Sequence, residues 1–470
     1  MSPQGTSHGW ISSAYTRFVY PVFERPACQG MGRRLRYYQG LERLSLEKNK
    51  ALQWRALIRL LQSAYDSSGF YRQRFDRAGV HPSKIATPSD LQAIPPLTRD
   101  DIRNHLSEIR SQRFRTEELL PAATGGTTDT PVPIRRSVDS VREKAAIQWR
   151  FNAWAGHFPG NKVFYLWGAR QDYSENPSWR WRLYDRHLMR RMYAPTSLFN
   201  EAVLESYRQM MNDFRPRIVY AYPTPLALFC EYLKSCGRPC HRPLSAICTA
   251  EPLLPSQRQI IEEVLGCPLF EHYGSREFGM IAADCEHRQG LHLNPAAAYV
   301  EGLPMPGCDV EGLQEILVTD LLNYGMPLIR YRINDCILPS ATRVCPCGRG
   351  LPLIGRIEGR TTDVFRLANG DVVPGVALTN RVLQVCPGLK KTQVIQETMD
   401  DIRIRYVPGS GFDPSQLEML TAKLRKFFPE QVSLMFEQVA DIERERSGKT
   451  RFCISRVQDP SGCRVQAVQG

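Results

Sequence analysis

Apolar positions recur at two different spacings along this chain, and the alternation between the two predicts most of its elements. From Leu41 to about Gly79 the spacing is three and four: Leu57, Leu60, Leu61 and Tyr65 recur with arginines between them, as on one face of a helix. This helical preface, about residues 1–115, includes the lead-in Asp90-Leu-Gln-Ala-Ile-Pro-Pro-Leu-Thr-Arg99. Arg142 to Trp154 is again helical, and Lys162-Val-Phe-Tyr-Leu-Trp167 is a short apolar run of the kind a buried strand shows. Arg217 to Tyr222, Leu244 to Cys248 and Pro268 to Glu271 repeat the strand design, with helices at Leu226 to Leu233 and Ser256 to Leu265. Strands alternating with helices predict an α/β fold on a mainly parallel sheet, with ligands held where strand ends meet loops.

From Glu315-Ile-Leu-Val-Thr319 the pattern shifts to short strands, Leu328-Ile-Arg-Tyr-Arg332 among them, and predicts a smaller β-rich lobe. Gly355-Arg-Ile-Glu-Gly-Arg360 is a charged connector bounded by glycines. The domain boundary is therefore expected near Gly359, with a large domain of layered sheets and helices over residues 1–359 and a small α+β domain over 360–470.

Composition narrows the class. The 470 residues exceed what one core normally supports, and 42% hydrophobic with 23% charged residues is a globular composition, which excludes a disordered chain. A net charge of +13 favours anionic partners, yet the 61 Lys and Arg are spread along the chain without a basic tail or nucleic-acid motif, so nucleic acid is not expected. The 14 cysteines are not preceded by a secretory signal in Met1 to Gly30, and a reducing cytoplasm is expected. No apolar run reaches the roughly 20 residues that a membrane-spanning helix needs. Trp10 to Phe23, aromatic but broken by Arg17, reads as a helix packed on the protein body, with contact to a membrane surface as the alternative. The chain is compatible with a homodimer and carries no signal of oligomeric state.

Two stretches carry candidate chemistry. In Ala122-Ala-Thr-Gly-Gly-Thr-Thr-Asp-Thr-Pro131, adjacent glycines let backbone N–H groups approach an anion and threonine hydroxyls add donors, as in a phosphate cradle. No lysine follows the glycines, so it is not the nucleoside-triphosphate loop that ends in Gly-Lys-Ser/Thr; an ordinary surface turn is the alternative. Cys345-Pro-Cys347, with Cys285 and His292 in Asp284-Cys-Glu-His-Arg-Gln-Gly-Leu-His-Leu293, supplies three sulfurs and one imidazole, a closed tetrahedral zinc set of structural type. His287 is the rival imidazole, and reduced core cysteines beside a packed histidine are the alternative.

Five stretches in fixed order then accumulate: Thr124-Gly-Gly-Thr-Thr128, Glu271-His-Tyr-Gly-Ser-Arg-Glu277, Arg330-Tyr-Arg-Ile-Asn-Asp335, Gly359-Arg-Thr-Thr-Asp363 and Arg446-Ser-Gly-Lys449. Together they resemble the adenylate-forming enzymes, most closely the branch of phenylacetate–coenzyme A ligases and their relatives from capsular-polysaccharide biosynthesis, and the resemblance covers nearly the whole chain. It implies ATP, Mg²⁺ and a small carboxylic acid bound between a large domain and a small mobile one, with the acyl group passed from its adenylate to coenzyme A. Another acceptor, such as an amine or a sugar, a plain adenylyl transfer, or a non-catalytic scaffold that keeps the fold are the alternative readings.

By position, the resemblance implies that Thr124, Gly125, Gly126, Thr127 and Thr128 form the phosphate loop and that Ala250, Glu251 and Pro252 border adenine. Tyr273, with Gly274 and Ser275 beside it, would cover the adenine, Glu277 would hold Mg²⁺, and Asp335 would accept from the ribose hydroxyls. Arg360 would contact the nucleotide, Asp363 would sit at the hinge, and Lys449 would meet the reacting carboxylate. Some members of the branch carry a Cys/His set comparable to Cys285, His292, Cys345 and Cys347. The chain departs from the pattern at Gly125, Asp129, Arg276 and Asn334. Asp129 sets a carboxylate beside the phosphates, which Arg276, a fixed cation near the α-phosphate, would partly offset. Trp167 and Tyr222, ending their strands where an acid pocket would lie, hint at a flat or aromatic substrate, with ordinary core packing of strand-end aromatics as the alternative.

Overall fold

A computed structural model describes residues 30–123, 132–167, 183–195, 200–305, 312–342 and 344–360, residues 15 and 180, and, further on, 364–368, 372–374, 378, 386, 389–409, 412–425, 427–442 and 452–457. Apart from Tyr15, the stretch Trp10 to Phe23 lies outside them. The preface is helical but interrupted: α1 (Met31–Glu42), α2 (Leu46–Ser67) and α3 (Gly69–Arg77) are separated at two serines. Ser45 and Ser68 sit in extended backbone and each caps the helix that follows, Ser45 accepting from Lys48 N–H and Ser68 from Tyr71 N–H. Leu57, Leu60 and Leu61, at helical spacing, are fully buried. Two shorter helices, α4 (Pro88–Gln92) and α5 (Arg99–Ile109), begin at capping boxes, Thr87 with Asp90 and Thr98 with Asp101.

Strands β1 (Leu119–Ala123) and β2 (Pro133–Ser137) pair as a ribbon that leads into α6 (Val138–Trp154). The main sheet has eleven strands, numbered in chain order: β3 (Val163–Trp167), β4 (Arg191–Pro195), β5 (Ile218–Ala221), β6 (Ser245–Thr249), β7 (Leu269–Ser275), β8 (Gly279–Asp284), β9 (Leu291–Leu293), β10 (Ala298–Pro304), β11 (Gln314–Asp320), β12 (Tyr331–Pro339) and β13 (Leu353–Arg360). Their spatial order is β10-β11-β12-β13-β9-β8-β7-β6-β5-β3-β4.

This order corrects two expectations. The sheet is parallel only on one flank, where β4, β3, β5, β6 and β7 are joined by four parallel pairings. The six remaining pairings, from β7 through β8, β9, β13, β12 and β11 to β10, are antiparallel. The strands after residue 315 therefore form no separate lobe, because β13 pairs with β9 through Leu353 opposite His292 and extends the same sheet.

On the parallel flank, successive side chains go to two apolar layers, as strands buried on both faces require. Phe164, Leu166, Val219, Ala221, Ala246 and Cys248 face a core that includes residues of α7 (Glu201–Phe214), α8 (Pro223–Cys236) and α9 (Pro255–Leu265). Val163, Ile218, Tyr220, Ile247 and Phe270 face the other way, with Tyr165 and Trp167. Cys230 and Cys240 pack in the first layer as free thiols.

The antiparallel flank packs against the preface in a core shared by Leu57, Leu61, Phe75, Ile316, Val318 and Tyr331. Arg330 fastens the two together. The run Leu328 to Arg332 is not a strand throughout, since β12 begins only at Tyr331 and Arg330 takes a left-handed backbone of φ 51. That turn sends the buried guanidinium to both oxygens of Glu301 at 3.1 Å and to the carbonyl of Gln92 at 3.0 Å, while its own carbonyl accepts from Leu97 N–H at 3.0 Å.

Beyond β13, strands β14 (Val364–Arg366) and β15 (Val372–Pro374) pair, and β16 (Leu389–Gln396), β17 (Asp401–Pro408), β18 (Ser433–Gln438) and β19 (Cys453–Ser455) form a sheet in the order β18-β17-β16-β19 with α10 (Ser415–Leu424). Buried apolar residues from Phe365 to Cys453 make a core of their own. No described helix is long and apolar enough to cross a membrane.

Candidate active site

The parallel strands end at one cavity of about 660 Å³, and its lining gathers residues scattered over more than half of the chain. Trp167 closes β3, Tyr222 follows β5, Thr249 closes β6 with Ala250 to Pro252 after it, and Tyr273 to Glu277 complete β7 and its turn. Ile333 and Asp335 of β12 and Ile357 and Gly359 of β13 stand across from them, and Ala122 and Ala123 reach it from the end of β1. Of the residues read from sequence, Ala250, Glu251, Pro252, Tyr273, Gly274, Ser275, Arg276, Glu277 and Asp335 all border this one space. Thr124, Gly125, Gly126, Thr127, Thr128, Asp129, Asp363 and Lys449 lie outside the described residues, as does the side chain of Arg360.

Local backbone explains why these side chains face inward. Gly274 sits where β7 meets β8 so closely that a Cβ would come 2.4 Å from the Gly279 carbonyl oxygen, so only glycine fits before the turn that presents Arg276 and Glu277. Asn334 has φ 65, a left-handed conformation that glycine adopts freely and asparagine best tolerates among the other residues, and it lies where β12 shifts register against β11. The departure from glycine at this position is thus accommodated, and Asp335 is held with one oxygen 2.7 Å from the Tyr273 hydroxyl, which donates to it. Ala250 has φ 72, a strained value for alanine, directly after β6.

The cavity wall is rich in charge that the sequence reading did not assign. Arg99, at the first position of α5, and Arg136 of β2 join Arg276 in the lining. Arg136 is held below its ordinary basicity by burial and then by the Arg276 charge, so two guanidiniums share one space. The most favourable relief for such a pair is an anion between them. Lys144 of α6 bonds the Glu277 carbonyl at 2.8 Å and the fully buried Asp320 at 2.6 Å, which fixes the main chain that carries the Glu277 carboxylate. Nothing in the spacing of Arg136 or Lys144 marks them, since each is one cation on an amphipathic element.

Deeper in, Glu271 is pushed up to about 8 by burial and by Asp284 beside it, and Asp284 to about 6 by burial. Burial holds His272 at about 3, so its imidazole is neutral. Trp167 and Tyr222 pack with ring centroids 4.6 Å apart, and Tyr220 lies 5.9 Å from Trp167, which lines this end with aromatic surface.

A second cluster lies away from this cavity. Cys285 after β8, His292 in β9 and Cys345 and Cys347 between β12 and β13 bring their ligand atoms within 4.8 Å of one another. Cys285 and Cys345 sulfurs are 3.5 Å apart, and Cys347 sulfur is 3.4 Å from His292 Nε2. Tetrahedral zinc with sulfur at about 2.3 Å sets neighbouring sulfurs roughly 3.8 Å apart, so the set has the dimensions for zinc. Backbone N–H groups of His287 and Arg349 donate to Cys285 and Cys347 sulfurs, bonds that suit thiolates. Burial keeps His292 neutral at about 4, the form a ligand needs, while it pushes the Cys285 thiol up to about 12, so a divalent cation would have to drive the thiols' deprotonation. His287 is exposed, and His292 is the imidazole that joins the group.

Comparison with known proteins agrees with the architecture. The family model of the CapK C-terminal domain matches residues 366–456. The chain is 29% identical over 390 residues to the phenylacetate-coenzyme A ligase of Thermus thermophilus, covering 80% of this chain and 85% of that one. It is 24% identical over 397 residues to the protein CapK of Staphylococcus aureus, covering 83% and 86%. A crystal structure of 2-hydroxyisobutyryl-CoA ligase, in the postadenylation state with R3-HIB-AMP, superposes with a TM-score of 0.67 at 19% identity over 89% of this chain and 91% of that one. The resemblance carried by the five stretches therefore holds, and the fold is that of the adenylate-forming ligases.

Proposed function

We propose that this chain, built on the adenylate-forming fold, activates a carboxylic acid with ATP and passes the acyl group to coenzyme A. The observation that carries the reading is the convergence of Ala250 to Pro252, Tyr273 to Glu277 and Asp335 on one cavity that also holds Arg99, Arg136 and Arg276. In the first half-reaction a carboxylate oxygen attacks the α-phosphorus, and the bond to pyrophosphate breaks. In the second the coenzyme A sulfur attacks the acyl carbon, its proton is lost, and AMP leaves with the bonding electrons. Both steps crowd negative charge, so fixed cations and N–H donors are what the protein must supply.

In this reading Ala250, Glu251 and Pro252 border the adenine, Tyr273 covers it, and Asp335, oriented by the Tyr273 hydroxyl, accepts from the ribose. Arg136 and Arg276 flank the phosphates that Thr124 to Thr128 cradle, Arg360 contacts the nucleotide, and Lys449 meets the reacting carboxylate from a small domain hinged at Asp363. Glu277, its main chain fixed by Lys144, would hold Mg²⁺, which neutralises charge on the departing pyrophosphate. Cys285, His292, Cys345 and Cys347 would hold zinc with no position left open, a structural role.

The test is pyrophosphate release from ATP·Mg²⁺ over a panel of carboxylic acids, with and without coenzyme A. Acid-dependent release, with thioester and AMP formed when coenzyme A is present, is expected. Absence of ATP·Mg²⁺ binding by calorimetry, in protein whose fold is confirmed, rejects the assignment and leaves the scaffold reading. Release without thioester, but with product on an added amine, moves the acceptor away from coenzyme A.

A further inference from the structure

The aromatic end of the cavity holds a buried polar group that the proposed reaction does not use. His272 borders the cavity, is 2% exposed, and its Nε2 has no hydrogen-bond partner among the described residues. Its other ring nitrogen is engaged. Nδ1 lies 3.3 Å from the hydroxyl of Tyr220, and the Gln148 side-chain N–H group, which also donates to Asn152 at 3.0 Å, reaches the same hydroxyl at 3.5 Å.

Proton counting along this chain of contacts fixes the imidazole. The Gln148 amide nitrogen can only donate to the Tyr220 oxygen, which leaves His272 Nδ1 as the one acceptor among these groups for the Tyr220 proton. Burial raises the Tyr220 hydroxyl above its ordinary value and holds His272 neutral, so neither group gains or loses a proton in the working range. A neutral imidazole whose Nδ1 accepts carries its one hydrogen on Nε2. The buried nitrogen is therefore an unused donor, and an unused buried donor is destabilising until an acceptor arrives.

Resting on the acid-activating reading above, we infer that the acid is a flat, aromatic-sized molecule bearing a hydrogen-bond acceptor away from its carboxylate, and that His272 Nε2–H is the group that recognises it. Trp167, Tyr220 and Tyr222 supply the walls for the ring. His272 is then a specificity-determining residue, and Tyr220 with Gln148 are positioning residues that set its tautomer. A hydrocarbon ring of the same shape leaves Nε2 unsatisfied and is discriminated against.

The test uses matched pairs of substituted benzoates and phenylacetates, methoxy against ethyl and acetyl against isopropyl at each ring position. Binding is measured by calorimetry on the full chain with α,β-methylene-ATP, which blocks pyrophosphate departure, and KM is measured separately with ATP. Wild type is expected to favour the acceptor-bearing member of at least one pair by ~10- to 100-fold. His272→Phe should bring that ratio to within about threefold, and His272→Gln, which keeps a side-chain N–H, should restore part of it. Tyr220→Phe, which frees the tautomer, should reduce it to an intermediate value. Equal binding of both members of every pair by wild type overturns the inference, and so does a preference that survives in His272→Phe. Because binding is read without turnover, a preference seen in protein that never releases pyrophosphate supports the recognition and rejects the ligase activity instead.

Discussion

The cavity and the Cys/His cluster both assemble residues far apart in the chain, but they leave opposite amounts unfinished. Around the cavity, Arg136 and Arg276 crowd one another, Ala250 takes a strained backbone, and His272 keeps a donor unused. In the cluster, three sulfurs and one imidazole converge within 4.8 Å with N–H donors already set on two sulfurs. One cation of the right size joins all four ligand atoms of the second site, where His292 Nδ1 alone stays buried without a hydrogen-bond partner among the described residues. No single small ion completes the first, which asks for an extended ligand with anionic, flat and hydrogen-bonding parts. A site for chemistry stores its unmet interactions for the substrate, whereas a structural site closes on itself.

Stripping metal from the cluster should therefore cost fold before it costs catalysis, and it is the largest effect expected. Purified protein should carry about one zinc per chain, and a strong chelator or the Cys345→Ser, Cys347→Ser double variant should lower Tm by at least ~10 °C. The cluster ties the β8–β9 connection to the loop before β13, the pairing by which the antiparallel flank joins the sheet. Elemental analysis without zinc, together with rapid labelling of Cys345 and Cys347 in native protein, would remove the contrast between the two sites. Next in size, Asp335→Ala removes one charged acceptor from the cavity and leaves the Tyr273 hydroxyl without it. ATP-dependent pyrophosphate release should fall by ~100-fold with Tm nearly unchanged, since charged hydrogen bonds are worth about 1.5–3 kcal/mol. A loss of Tm as large as that of the cysteine variant would make Asp335 a structural residue.

What was legible in the sequence follows the same division. Helices and parallel strands were readable because their apolar periods are local: Leu57, Leu60 and Leu61 on α2, and the runs at β3, β5 and β6. The extension of the sheet through β9 and β13 was not, because a pairing of Leu353 with His292 leaves no local trace in either segment. Leu328 to Arg332 was misread as strand because it is apolar, although Arg330 breaks it to reach Glu301. Ala250 to Pro252, Tyr273 to Glu277 and Asp335 were legible through resemblance, and geometry then supplied a reason for Gly274 and for Asn334. Arg99, Arg136, Lys144 and His272 were missed as site residues, since an exposed-face cation or a strand histidine looks the same in sequence wherever it points.

Arg136 offers a finer cut between the two kinds of site. If the Arg136–Arg276 pair awaits phosphates, Arg136→Gln should raise KM for ATP ~10-fold, one charge-assisted contact, while relieving repulsion in the empty protein. Tm without nucleotide should stay level or rise, and the stabilisation that ATP·Mg²⁺ confers should shrink. A fall in Tm without nucleotide, at unchanged KM, would class Arg136 with the structural ions.

The smallest expected effect concerns Glu271, which shares the cavity wall but is kept protonated rather than charged. Its carboxyl sits at about 8 because burial and Asp284 outweigh Arg258 and Arg356, while Glu358 adds to the upward push. An acid whose folded value lies above its unfolded one, 4.5 here, holds its proton in the folded state after the unfolded chain has released it. Stability is therefore greatest below the unfolded value and declines as pH rises toward the folded one, a slope set by the extra proton bound in the native state. Glu271→Gln keeps the neutral shape and removes the titration. Its Tm advantage over wild type should accordingly widen by roughly 2–4 °C between about pH 5 and about pH 8, equivalent to about 3 kcal/mol spread over a chain of this size. The measurement is the difference between two melting curves at each pH, so the Asp284 titration, raised to about 6 by burial and present in both proteins, largely cancels. A constant difference across that range would mean that Glu271 ionises normally, and the cavity would then hold one more carboxylate to be neutralised by its ligand.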